Sequence, residues 1–239
     1  MPFIYTDKII PGRAELTGDT AHYVACVLRH RPGDRLTIFD SAGRWFDAEI
    51  TAVQKNRVLV TARPIAAPDT ESPLKIVLCP GVLQGRMMDL VVQKAVELGV
   101  SAIAPLITQR CQVRRSERAA RWNKIALEAV RQCGRARVPQ VSEPIEFAEF
   151  FEGIDSDKDK ILMFYEGAGA GLKTLLPGMP PDGTVYVLVG PEGGFTADEA
   201  ELARAAGAEL ISLGGRILRA ETAAITAAAL VQFAFGDLG

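Results

Sequence analysis

From Lys75 to its carboxyl end the chain alternates short apolar runs with amphipathic stretches of helical period, and that alternation narrows its possible folds more than any other feature. Lys75 to Cys79, Ala102 to Leu106, Ile161 to Tyr165, Val185 to Val189 and Glu209 to Leu213 read as strands. Helices are predicted over Met87 to Leu98, closed by Gly99, over a basic stretch from about Ser116 to Cys133, and over Glu221 to Phe235. A further helix opens at the capping box Thr196-Ala197-Asp198-Glu199 and stops at Gly207. Strand alternating with helix predicts an α/β domain around a largely parallel sheet, and Val185 to Val189 is apolar enough to be covered on both faces.

The residues ahead of Lys75 follow a different grammar. Leu36 to Phe39, Trp45 to Ile50 and Arg57 to Ala62 read as short strands, with Ser41-Ala42-Gly43 as a tight turn, which suggests a small barrel. One helix is predicted over Asp19 to Arg29, with His22, Cys26 and Arg29 on a shared face. Residues 63–73 carry three prolines and no apolar period, so they read as a linker. The expected fold class is therefore α/β, α+β overall, with a barrel over 1–68 and an α/β domain over 74–239.

A chain of 239 residues that is 48% hydrophobic can bury a full core, which excludes disorder. No apolar run approaches the roughly 20 residues of a membrane span, and the start, MPFIYTDKII, lacks a signal-peptide pattern, so a cytoplasmic protein is expected. Cys26, Cys79, Cys111 and Cys133 are scattered, and His22 and His30 are the only histidines, too few clustered ligands for zinc. No metal is expected. The net charge of -2 hides an asymmetry, because residues 110–137 hold nine basic side chains against Glu117 and Glu128, a local excess of +7. Such an excess is the footprint of a polyanionic partner, with a solvated helix face as the alternative.

Gly167-Ala168-Gly169-Ala170-Gly171-Leu172-Lys173-Thr174 invites a phosphate-loop reading, but that pattern needs glycine where Leu172 stands. A surface loop is the better reading. Two other loops each follow a strand end: Val189-Gly190-Pro191-Glu192-Gly193-Gly194-Phe195, and Leu213-Gly214-Gly215-Arg216-Ile217-Leu218-Arg219-Ala220-Glu221-Thr222. Open α/β sheets bind ligands outside the carboxyl ends of their strands. The glycines permit close backbone approach, while Pro191 stiffens the first loop.

Gly190-Pro191-Glu192-Gly193-Gly194 paired with Leu218-Arg219-Ala220-Glu221-Thr222 resembles the signature of the bacterial ribosomal RNA small subunit methyltransferase E family. Gln93 to Val100, Arg110-Cys111 and Gln132-Cys133-Gly134-Arg135 resemble further family segments, and Val27 to Asp34 resembles its amino-terminal RNA-binding segment. The resemblance implies a PUA-like barrel, a SPOUT domain with a deep trefoil knot, and a homodimer. It also implies transfer of a methyl group from S-adenosylmethionine to N3 of a uridine in the decoding region of 16S ribosomal RNA, within the small ribosomal subunit. Nothing in periodicity or spacing shows the knot, and general rules of chain topology argue against one.

The donor carries a sulfonium leaving group, so the transfer itself requires no metal. Its adenosine needs an apolar slot with backbone donors and acceptors, which Leu213, Gly214, Ile217 and Leu218 offer, with Thr222 closing that loop. Val189, Gly190, Pro191, Glu192 and Gly193 close the other side, and Leu162 with Phe164 form a floor. Uracil N3 holds its proton at neutral pH, so a base or a stabilising cation is needed. Arg219 and Glu221 are the expected catalytic pair, with an ion pair closing the last helix as the alternative. Arg29, Arg31, Arg110, Arg114, Arg115, Arg135 and Arg137 are expected to track RNA phosphates, with the target base flipped into the site. Ala223, Ala224, Ala227, Ala228 and Ala229 allow either close approach of a second copy or plain core packing. Two competing classes are a non-catalytic RNA-binding ribosome assembly factor and a nucleotide-using enzyme built on the glycine loop.

Overall fold

The computed structural model describes residues 3–6, 9–10, 12–40, 42–112, 119–155, 157–167, 171 and 183–238. The chain divides into two compact units, Met1–Glu71 with Val130–Val138, and Ser72–Ala129 with Pro139–Gly239.

The first unit contains β1 (Ile4–Tyr5), β2 (Ile9–Ile10), β3 (Gly12–Thr17), α1 (Gly18–His22), β4 (Arg35–Phe39), β5 (Trp45–Gln54) and β6 (Arg57–Ile65). The strands lie in the order β1-β4-β5-β6-β3-β2, antiparallel except for β1 beside β4. Alternate residues point inward, so Val58, Val60 and Ala62 of β6 join Leu16, Ile38 and Ile50 in the core. Just past β1, the Thr6 hydroxyl donates to Glu15 O of β3 at 3.3 Å, so the two sides of the sheet approach one another as a barrel requires.

The helix predicted over Asp19 to Arg29 is α-helical only through His22, and Tyr23–Val27 continues as a π-helical turn. Leu28 N–H donates to Tyr23 O at 2.9 Å and His30 N–H to Val24 O at 3.1 Å. That wider turn breaks the period which would have put His22, Cys26 and Arg29 on one face. It ends at Arg29 with φ +57°, the one non-glycine residue in the left-handed region among those described.

The second unit holds β7 (Lys75–Pro80), α2 (Met87–Glu97), β8 (Ala102–Ile103), β9 (Leu106–Ile107), α3 (Ala119–Cys133) except for its last turn from Val130, β10 (Gln140–Val141), β11 (Ile145–Glu146), β12 (Lys160–Phe164), β13 (Thr184–Val189), α4 (Ala197–Ala205), β14 (Glu209–Ile211) and α5 (Ala220–Phe235). Its main sheet is parallel throughout, in the order β10-β8-β7-β13-β12-β14, and β9 pairs with β11 apart from it. The single strand predicted over Ala102 to Leu106 is two, β8 and β9, interrupted where Pro105 has no N–H to give a ladder. The predicted helix start at Ser116 falls outside the described residues. The capping box forms as predicted: Thr196 Oγ1 accepts from Glu199 N–H at 3.2 Å and Glu199 Oε2 from Thr196 N–H at 2.8 Å.

Although β12 precedes β13 in the chain, β13 takes the place beside β7 and β12 lies beyond it. The strand order reverses there, which is where a parallel sheet opens a crevice at its carboxyl edge. Buried behind that edge, Ala224, Ala227, Ala228 and Val231 of α5 complete the core.

One polar side chain is buried with them. Gln232 Nε2 donates to Leu98 O at 2.9 Å, and its Oε1 accepts from Ser72 Oγ at 2.9 Å. Gln232→Leu would leave both partners without this bond, and urea unfolding should report a loss of about 1–3 kcal/mol. Parental stability would show that the two partners find other bonds.

Candidate active site

A cavity of about 770 Å³ opens at the carboxyl ends of β12, β13 and β14 and at the start of α5. Its size suits a small-molecule ligand. Val189, Gly190, Pro191, Glu192 and Gly193 form one wall, Leu213, Gly214, Ile217 and Leu218 another, and Phe164 contributes from the end of β12.

Two expected lining residues lie elsewhere. Leu162 is 1% exposed inside the sheet, paired with Val187 and Glu209 and two residues short of the strand end that Phe164 occupies. Thr222 is exposed on α5, and the helical period turns it about 100° from Glu221, away from the lining. Residues that motif reading missed are Met87, Tyr165 and Glu166, and Arg216 of the second loop lines the cavity without having been given a ligand role. Tyr165 and Glu166 directly follow β12, so the strand-end rule that found the two loops would have found them too. Met87 opens α2 and carries no motif.

The first loop is fixed from three directions. Pro191 lies against Gly81, where a Cβ would stand 2.6 Å from the proline nitrogen and Cδ. Glu192 Oε1 accepts from Gln84 N–H at 2.8 Å. Arg110 Nη1 donates to Gly193 O at 2.7 Å and to Phe195 O at 3.4 Å. Within the loop Gly194, at φ +68°, donates its N–H to Pro191 O at 2.8 Å. Gly214 turns the second loop at φ +94°, its N–H donating to Ser212 Oγ at 3.1 Å.

Arg219 is the exposed residue preceding the first turn of α5, and Glu221 sits half-buried within that turn. Both line the cavity. Neither side chain makes a hydrogen bond or ion pair among the described residues, so the ion pair weighed as their alternative role is not formed.

The expected RNA-contacting arginines separate into groups. Arg29 and Arg31 are exposed on the turn after the π-helical segment, and the Asp34 carboxylate secures that turn by accepting from Arg31 N–H at 2.7 Å and facing His30 Nδ1 at 3.2 Å. The Arg31 N–H first, then His30, hold the Asp34 carboxyl below its usual range. Arg137 is exposed as well. Arg135 is a correction, while Arg110, which is exposed, also serves a wall of the cavity. The Arg110 guanidinium is engaged by loop carbonyls, and Arg135, with a side chain only 7% exposed, forms an ion pair at 2.6 Å with Glu71. A buried, paired guanidinium is not open to phosphate. Arg114 and Arg115 lie outside the described residues, as does most of the stretch from Gly167 to Gly171. Among the described residues no three His, Cys, Asp or Glu side chains form a metal-binding group, and no helix is long and apolar enough to cross a membrane.

Comparison with known proteins bears on this geometry. A family model described as an RNA methyltransferase domain matches residues 70–232, and one described as an RNA methyltransferase PUA domain matches residues 16–62. The ribosomal RNA small subunit methyltransferase E of Rickettsia conorii is 35% identical over 92% of this chain and 89% of its own length. That of Buchnera aphidicola from Acyrthosiphon pisum is 33% identical over 93% of this chain and 88% of its own. The crystal structure of the Neisseria gonorrhoeae enzyme of that name, bound to S-adenosylmethionine, is 36% identical and superimposes with a TM-score of 0.90 over the whole of both chains. A putative methyltransferase from Legionella pneumophila, also solved with bound S-adenosylmethionine, is 37% identical with a TM-score of 0.86 over 99% of this chain and 98% of that one. With both domain types matched in order and relatives aligned along nearly its full length, the chain belongs to the ribosomal RNA small subunit methyltransferase E family.

Proposed function

We propose that this protein transfers a methyl group from S-adenosylmethionine to N3 of one uridine in the decoding region of 16S ribosomal RNA, in the bacterial cytoplasm. The observation that carries the reading is the cavity at the reversal of strand order, walled by two glycine-rich loops and bordered by Arg219 and Glu221. Its residues fit such a donor: Phe164, Leu213, Ile217 and Leu218 offer an apolar slot for adenine, and the loop backbones approach closely where they carry no Cβ. The Glu166 carboxylate in the same lining suits a cationic ligand. The donor supplies a methyl group on positively charged sulfur, to which the bonding electrons return as the nitrogen–methyl bond forms.

The chain's own residues then handle the acceptor. Arg219 holds the uracil oxygens as N3 loses its proton and negative charge spreads onto them. Glu221, in the first turn of α5, accepts that proton or orients the base. The amino-terminal end of α5 adds positive potential at the same spot. Arg29, Arg31 and Arg137 supply phosphate contacts that position the RNA without reading bases.

The proposal extends to topology and assembly. We read the second unit as a SPOUT domain with a trefoil knot, a reading supported by the return from β13 to β14 across the intervening β12. We read the active form as a homodimer. Leu90 on α2 and Leu230 and Phe233 on α5 are exposed, Phe233 by 66%, and the two helices pack side by side, leaving an apolar face for a second copy to cover.

The test is transfer of labelled methyl from S-adenosylmethionine to small subunits that lack the modification, followed by mapping of the product. Label at N3 of a single 16S uridine is expected. Label on another atom or nucleotide overturns the specific assignment, and RNA binding without any transfer favours the assembly-factor reading.

A further inference from the structure

Arg110 belongs to the most basic stretch of the sequence, yet its guanidinium grips the loop that walls the ligand cavity. We propose that Arg110 is a positioning residue for the donor loop from Gly190 to Phe195, held to that task by the buried carboxylate of Glu199; the inference rests on the function proposed above.

The side chain is absent from the cavity lining, so it acts through the loop. Its Nη1 draws the carbonyls of Gly193 and Phe195 toward one point, and a bond from a charged donor is stronger than one between neutral groups. The stem matters as well as the charge. A Cβ on Gly193 would stand 3.0 Å from Arg110 Cβ and 3.3 Å from its Cδ, so the arginine packs directly on the glycine backbone. Lifting the loop would break both bonds and open that packing together.

Arg110 is itself anchored. The preceding residue, Gln109, donates its N–H to Glu199 Oε1 at 2.7 Å, and Glu199 is 3% exposed. The other oxygen, Oε2, accepts from Thr196 N–H at 2.8 Å, immediately after Phe195. One carboxylate therefore ties the residue before Arg110 to the residue after the loop, and Arg110 closes the circuit onto Gly193. On its far side, Cys111 N–H donates to Thr108 O at 3.1 Å and keeps the segment in a tight turn. Pro191 against Gly81 and Glu192 on Gln84 fix the first half of the donor loop, and Arg110 fixes the second. The Nη1 group is thus spent on two loop carbonyls and the stem is packed over a glycine, although the side chain stays exposed.

Arg110→Met and Arg110→Lys decide the matter, read by calorimetry with S-adenosylmethionine, by RNA affinity across a salt series, and by single-turnover kinetics. Arg110→Met is expected to raise the donor Kd by roughly 10- to 100-fold, with donor KM rising more than kcat falls. The slope of RNA affinity against salt should match the parent. Arg110→Lys, which keeps a charged donor on a flexible stem, should recover part of the affinity. Arg29→Glu combined with Arg31→Glu is the contrasting case, lowering the salt slope and leaving donor Kd alone. A parental donor Kd in Arg110→Met, or a reduced salt slope, overturns the inference. So does a loss of donor binding that Arg110→Lys fails to relieve and that tracks a lowered urea midpoint, which would make Arg110 a stabiliser of the fold. If the parent binds no S-adenosylmethionine, the functional reading fails and this inference fails with it; an Arg110→Met variant binding as tightly as a competent parent sinks this inference alone.

Discussion

Arg219→Ala is expected to slow single-turnover methyl transfer by about 10²-fold or more, the scale for removing one positioned donor from developing negative charge. Donor affinity should stay near the parental value. The expectation follows from where the side chain sits: it precedes α5, borders the cavity, and is committed to no other group among the described residues. Nothing in the fold would then collapse when it is removed. The companion variant, Glu221→Gln, separates two roles. A proton-accepting Glu221 predicts lost rate at neutral pH and partial recovery as pH rises, because solution base then removes the N3 proton. An orienting Glu221 predicts loss without recovery. Near-parental rates in both variants would place the catalytic groups elsewhere.

Gly81→Ala should weaken donor binding by roughly 10- to 100-fold, although Gly81 is absent from the cavity lining. Its new Cβ would stand 2.6 Å from Pro191 N and Cδ, a separation that backbone and ring cannot relieve by a rotamer change. The first loop must move, and with it the wall built by Gly190 and Gly193. Gly193→Val should act through a different contact, pushing the Arg110 stem off the loop. Calorimetry with S-adenosylmethionine checks both, with urea unfolding to confirm that the sheet survives. Parental affinity in Gly81→Ala would mean that the loop's placement does not govern the ligand.

The alternation of apolar strands with amphipathic helices from Lys75 onward was sufficient to predict a parallel α/β sheet. The rule that ligands gather at carboxyl strand ends then singled out both cavity loops. Those features are local: a strand's pattern has period two, a helix's 3.6, and a glycine-rich turn shows itself within a few residues. The capping box Thr196 to Glu199 was legible for the same reason. Tertiary structure decided what depended on residues far apart in the chain. Arg110 and Arg135 look alike in a basic stretch, yet one donates to Gly193 O, 83 residues away, and the other pairs with Glu71, 64 residues away. Glu199 reads as a helix cap, and only the fold gives its second oxygen to Gln109. The reversed placement of β12 and β13, which makes the crevice, has no sequence signature either, because strand order is set by which faces must be covered and not by any one strand's composition.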